Sequence, residues 1–162
     1  MENNVLVSIA NVVKETLSYD ESLILIGREN ATQENFSNNY IVVDHLASTP
    51  VSKPKRQYDY DNEVEKFATT MQGTFTLEFY GASSLINHIN FMNLTGMQES
   101  RWEQKQQGIV IFNAMNSNNR KMTTTSRTYE RYEVEIIVQY TIISEVERLR
   151  IEEIPTEFLR SL

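Results

Sequence analysis

Cysteine is absent from this 162-residue chain, which excludes disulfides, thiolate metal sites and cysteine nucleophiles. The lack of thiols suits a reducing compartment. Histidine is scarce: only His45 and His88 occur. His45 follows Asp44 in a strand-like run, so the two side chains point to opposite faces. A metal site needs three or four converging ligands, and no local spacing supplies them. The five glycines stand singly, so there is no Gly-rich loop to cradle a phosphate and no nucleophile elbow. No apolar run reaches the ~20 residues that cross a bilayer. The longest candidate, Ile136 to Ile143, is broken by Gln139, Tyr140 and Thr141. No basic segment precedes the first apolar residues, so neither a signal peptide nor a membrane partner is expected. Three glycosylation sequons begin at Asn30, Asn35 and Asn93, and in a chain with 15 asparagines they are read as chance. Positive charge is also short, and the formal net charge is −7. General phosphate binding needs a clustered positive surface, so nucleic-acid binding is disfavoured. An acidic protein can still let DNA slide past without sticking.

What remains is ordinary globular composition, with 40% hydrophobic and 23% charged residues. The length fits one domain, residues 1–162, able to bury about 70% of its unfolded surface. Val5, Ile9, Val12, Val13 and Leu17 recur at helical spacing and predict a helix over Asn3 to Ser18. Leu23 to Ile26 is a short apolar run, and Tyr40 to Leu46 is a β-branched strand. Thr49 to Asn62, holding Pro50 and Pro54, is expected to be a flexible excursion. Phe67 to Phe79 alternates apolar and polar residues, which predicts a strand with one buried and one wet face. After Gly81, Ser83 or Ser84 can cap a helix running to Leu94, whose apolar face carries Leu85, Ile86, Ile89 and Met92. His88 falls opposite that stripe, and both histidines are expected at the surface. Met97 to Gln107 is a short helix or loop, and Gly108 to Met115 a strand.

Arg127 to Ile143 is a long alternating strand, beyond the usual roughly 3–10 residues. Its outer half, with Glu133 and Glu135, is expected to project as a hairpin with its carboxylates on a solvated face. A solvated face gives no raised pKa and so no acid/base pair. The charged tail, 144–162, carries Ile154 and Phe158 as apolar contacts. The element order is no βαβ alternation. It predicts an α+β fold: a mostly antiparallel β-sheet with an N-terminal helix and a second helix on one face, plus a long projecting β-hairpin.

No catalytic, cofactor-binding or metal residues are expected. Contact residues are, because aromatic and basic side chains on polar segments favour interfaces. The candidates are Lys53, Lys55, Arg56, Tyr58 and Tyr60 on the excursion. Arg120, Lys121, Arg127, Tyr129 and Tyr132 follow on the hairpin, with Ile154 and Phe158 in the tail.

The order of elements resembles the neck or tail-terminator proteins of tailed bacteriophages. The resemblance rests on the N-terminal helix, the run Leu25 to Asn30 and the strand Tyr40 to Leu46. The stretch GTFTLEFYG (Gly73 to Gly81) leading into ASSLINHINFM, and the strand TYERYEVEIIVQYT, complete it. It covers Val5 to Ile143. It implies a non-enzymatic virion subunit that closes into a ring, commonly a hexamer. The ring would cap the finished tail tube, offer a face to the head connector and let genomic DNA through. It also implies assembly in the host cytoplasm and residence at the top of the tail. Another head-completion or connector subunit is the nearest alternative. An enzyme or small-ligand binder would need a deep cleft with converging polar groups. A nucleic-acid binder would draw on Lys53 to Arg56 and Arg120 to Arg127.

Overall fold

A computed structural model of the protein describes residues 2–27, 39–120, 122–123 and 128–147. Helix α1 spans Glu2–Leu17. It ends where Ser18 takes a left-handed φ of 50°, with the Tyr19 amide reaching back to the Lys14 carbonyl at 2.9 Å. A 3₁₀ turn capped by Asp20 leads into β1 (Ile24–Ile26). Then follow β2 (Tyr40–Pro50), β3 (Lys55–Asp59), β4 (Val64–Tyr80), α2 (Ser84–Leu94) and α3 (Gln98–Gln106). The remaining strands are β5 (Ile109–Asn119), β6 (Met122–Thr123), β7 (Thr128–Tyr129) and β8 (Arg131–Glu147). The sheet order is β1-β2-β4-β8-β5, with β3 also paired to β4 and a separate β6-β7 ladder. Only β1-β2 is parallel. The fold is α+β with a mostly antiparallel sheet, and the helices lie on one of its faces.

The alternation read from the sequence sets that arrangement. Phe75, Leu77 and Phe79 of β4 register with Ile136, Val134 and Tyr132 of β8. Ile41 and Val43 of β2 complete the row on the same face. Onto this face α1 lays Leu6, Ile9, Val12 and Val13, all buried. Strands β4 and β8 pair along 17 residues each, a ladder about 55 Å long at the usual rise per residue. On the other edge of β4, β2 covers Met71 to Tyr80 and β3 covers Val64 to Ala68.

The excursion expected over Thr49 to Asn62 is therefore partly regular. Its prolines do interrupt pairing, since β2 ends at Pro50 and β3 starts just after Pro54. At the changeover the Val51 amide donates to the Thr70 carbonyl at 3.0 Å and the Thr70 amide donates to Ser52 Oγ at 3.2 Å. Lys55, Arg56 and Tyr58 thus sit on a strand, because β4 extends far enough to offer them an edge.

The exposed part of β8 is its last third, Thr141 to Glu147, and the tail expected from Ser144 begins as strand. The Glu133 end, expected to project, is buried at Glu133 and Val134.

Between β2 and β8, Gly73 leaves room for a tie across β4. Tyr140 Oη donates to Ser48 Oγ at 2.8 Å, and Ser48 Oγ hydrogen-bonds His45 Nε2 at 2.7 Å. His45 is half-buried against the Phe75 ring, not a free surface residue. A Cβ on Gly73 would stand 2.6 Å from Phe75 Cε2 and 2.7 Å from Ser48 Oγ. Gly73→Ala is expected to lower stability by about 1–3 kcal/mol, the usual cost of overpacking. Denaturant midpoints of the two proteins measure it, and equal midpoints would refute the crowding.

Candidate functional site

Helix α2 faces the opposite way from the sequence expectation. Ser84, His88 and Phe91, one turn apart, are buried against the sheet. The stripe expected to be its core face points out, with Ile86 59% exposed and Leu85, Ile89 and Met92 also exposed. Gly81, at φ 89°, turns the chain from β4 into the helix. Ser83 gives no side-chain cap, and its amide donates to Asn39 Oδ1 at 2.9 Å.

The corrected placement of His88 follows from ring packing. Its imidazole meets Phe79 edge-on at 5.9 Å and lies 5.6 Å from the Tyr132 ring. Nε2 hydrogen-bonds Ser117 Oγ at 2.8 Å, while Nδ1 is buried without a hydrogen-bond partner. Burial holds the imidazole below its ordinary pKa, so the neutral form is the native one. The Phe91 aromatic ring, fully buried, anchors the same face. Rings fill the space over Phe79, and the aliphatic stripe is left outside. Hydrophobic count alone favoured the other face; the signal missed was the spacing of Ser84, His88 and Phe91.

The outward stripe continues onto α3 and β5. Met92, Val110 and Phe112 line an open groove of about 730 Å³ whose rim carries Arg101 and Lys105. Gln104 is buried beneath it: Nε2 donates to the Thr95 carbonyl at 3.1 Å, and Oε1 accepts from the Ile111 amide at 2.9 Å. One side chain thereby joins the end of α2, α3 and the start of β5. Trp102 and Met97 are exposed nearby on the α3 side. Contiguous apolar surface of this kind marks contact sites.

A second corrected element lies on the far face of the sheet. Glu78 and Glu133 are register partners, and both are buried. Glu133 is thus no part of a solvated face, and Glu135 beside it is only half-buried. Two carboxylates side by side repel unless neutralised. Arg131 Nη2 donates to Glu78 Oε1 and to Glu133 Oε2, each at 2.9 Å. Arg120 reaches Glu133 Oε1 at 3.2 Å, and the Tyr80 hydroxyl donates to Glu78 Oε2 at 2.6 Å. Tyr80 in turn stacks on Tyr40 at 4.4 Å. This charged pair is held by geometry that ties β4 to β8 at their inner end.

The expected contact residues separate into two groups. Lys53, Lys55, Arg56, Tyr58 and Tyr60 come together around β3, where Arg56 lies 5.4 Å from the Phe67 ring centre and Tyr58 meets Tyr60 edge-on at 4.8 Å. Arg120 and Tyr132 lie at the other end of β8, roughly 40 Å along the ladder. Arg120 binds Glu133 from an exposed position, and Tyr132 is half-buried beside His88. Tyr129 lies in β7. Lys121, Arg127, Ile154 and Phe158 lie outside the described residues. Among the described residues no three His, Asp or Glu side chains gather to hold a metal, and no helix is long and apolar enough to cross a membrane.

A family model described as phage neck terminator protein matches residues 7–160. The chain belongs to that family. A comparison with curated proteins finds no match. As a neck terminator the chain has a structural role in the virion neck and associates with other head and tail proteins. Its outward apolar stripe fits a terminator, whose work is done through protein contacts.

Two measurements probe this geometry. Arg131→Ala leaves Glu78 and Glu133 buried together, and is expected to cost about 3–5 kcal/mol. Unfolding curves measure that loss, and a change under 1 kcal/mol would show that the cluster matters little. For His88, the unfolded chain takes up a proton near the ordinary imidazole pKa while the folded chain resists it. Stability therefore falls as pH drops through that range. The drop in melting temperature between pH 7.5 and 5.5 should be larger in the parent protein than in His88→Gln, and equal drops would contradict the burial.

Proposed function

We propose that six copies of this chain close into a ring on the finished end of the tail tube. The ring stops further tube growth and presents its other face to the head connector or adaptor protein. Genomic DNA passes through the hole without specific binding. The chain acts by surface fit and makes or breaks no bonds. Assembly takes place in the host cytoplasm.

The observation that carries this reading is the family match over residues 7–160. The outward aliphatic face of α2 supports it, because a lone subunit leaves that face wet. A ring needs two different patches on each subunit, so that one contact closes by rotation. The outer tip of the β4-β8 ladder and the outward face of α2 are two such separate surfaces. The net charge of −7 suits a channel past which DNA moves, since repulsion prevents sticking.

The test uses the purified chain and tubes grown from the tube protein of the same phage. Electron microscopy should show rings with a central hole, and added protein should hold tube length constant at a capped end. Tubes that grow equally long with and without it, and no rings, would reject the reading.

A further inference from the structure

Two separate surfaces carry opposite local charge: the outer tip of the long ladder, and a groove beside its middle, where Val110 of β5 registers with Gln139 of β8 and Gln139 with Gln72 of β4. Around the β3-β4 turn and the end of β8 stand six acids, Asp59, Asp61, Glu63, Glu65, Glu145 and Glu147, with Lys66 among them and, further back on β3, Lys55 and Arg56. Lys66 is engaged by Asp59 at 3.6 Å and Glu145 at 3.5 Å. The same end exposes Tyr60, Ile143 and Val146. It is an acidic tip with apolar and aromatic side chains. Asp59 fixes its turn, accepting from the Asp61 amide at 3.2 Å and from Asn62 Nδ2 at 3.0 Å. The groove beside α2 is the converse. Its floor is Met92, Val110 and Phe112, its rim holds Arg101 and Lys105, and among the described residues no acid lines it.

We infer that the groove between α2, α3 and β5 receives the β3-β4 tip of a second copy of this chain, with Arg101 and Lys105 facing the tip's carboxylates. This assignment rests on the ring reading and names the contact that closes the ring. Charge complementarity selects the occupant. The chain as a whole is acidic, so copies repel unless a basic rim meets an acidic tip. The join is heterologous because tip and groove are different surfaces, and heterologous joins repeat around a ring. The tip also has the reach, since β3 and the matching ends of β4 and β8 extend past the strands over which β5 pairs, which stop at Tyr140. The docked tip would cover Met92 and Phe112 and so remove the exposure that α2 and β5 show alone.

Charge reversal tests the pairing without touching the core. Arg101, Lys105, Asp61 and Glu147 are all exposed. Arg101→Glu with Lys105→Glu reverses the rim, and Asp61→Lys with Glu147→Lys turns two exposed acids of the tip into bases. Each pair alone should weaken self-association about tenfold or more in sedimentation velocity, with an unchanged melting temperature. An equimolar mixture of the two variants should regain assembly with the two chains alternating, as the tip and the groove of each now match those of the other. The chain carrying all four changes should regain assembly. Parent rings that persist through both reversals would overturn the tip-in-groove contact and leave the ring standing. A parent protein that stays monomeric at millimolar concentration, and does not cap tubes, would overturn the ring and the contact together. Loss in both variants with no rescue would also overturn the pairing.

Discussion

The structure depends on one ladder, the antiparallel pairing of β4 with β8 along their full length. Every other element is placed by it. One face of the ladder carries Phe75, Leu77, Phe79, Val134, Ile136 and Val138, and the helices lie there. A slip of one residue would send all of these to the other face and bring Glu78 and Glu133 under α1, so register is strongly specified. The buried charged cluster reinforces it. Arg131 Nη2 reaches both carboxylates only when Glu78 and Glu133 stand opposite each other. The Ser48 to Tyr140 bond supplies a second pin, which needs Gly73 between them. Hydrophobic alternation chooses the face, and the polar pins choose the register.

A ladder this long outruns its cover. At its inner end the sheet has helices on one face and the Tyr40, Val42 and Tyr80 cluster on the other. At its outer end β3 adds width, and β8 from Thr141 onward is exposed apart from the half-buried Ile142. Unpaired or thinly covered strand ends are a liability that proteins remove with charge or with a partner. Here Glu145, Glu147 and Lys66 supply charge, while Ile143 and Val146 remain apolar. That mixture is typical of a contact surface more than of a guarded edge.

The sequence carried the strands well because period-two alternation is a property of the strand itself. The fold class, the core-facing rows of β4 and β8 and the extent of α1 followed directly, whereas the face of β4 expected to be wet is buried at Thr76 and Glu78. The orientation of α2 did not. Its aliphatic residues outnumber its buried ones, and the choice between faces is made by Phe79, Tyr132 and Ser117, none of which belongs to the helix. Glu133 misled for a similar reason: its neutralising partners sit on its own strand at Arg131 and across the hairpin at Arg120. β3 was hidden because pairing depends on how far β4 extends, and two prolines argued the other way. Each miss came from a tertiary neighbour overriding a local pattern. Of the proposed contact, the sequence pointed to the tip segment, through Lys55, Tyr58 and Tyr60, and not to the groove, which exists only after α2 has turned.

An exposed aliphatic helix face in an acidic protein poses a problem of selectivity. Hydrophobic surface is indiscriminate, so Leu85, Ile86, Ile89 and Met92 would accept many partners. The overall charge of −7 counters this by keeping like copies apart at long range. Specific approach then requires a local exception to the global sign. Among the described residues, the basic ones lining the α2 groove are Arg101 and Lys105. They reward one acidic shape and offer nothing to a bare apolar one. In the proposed ring, net repulsion and local attraction together favour one orientation of a second subunit, as a contact that repeats with the same rotation requires.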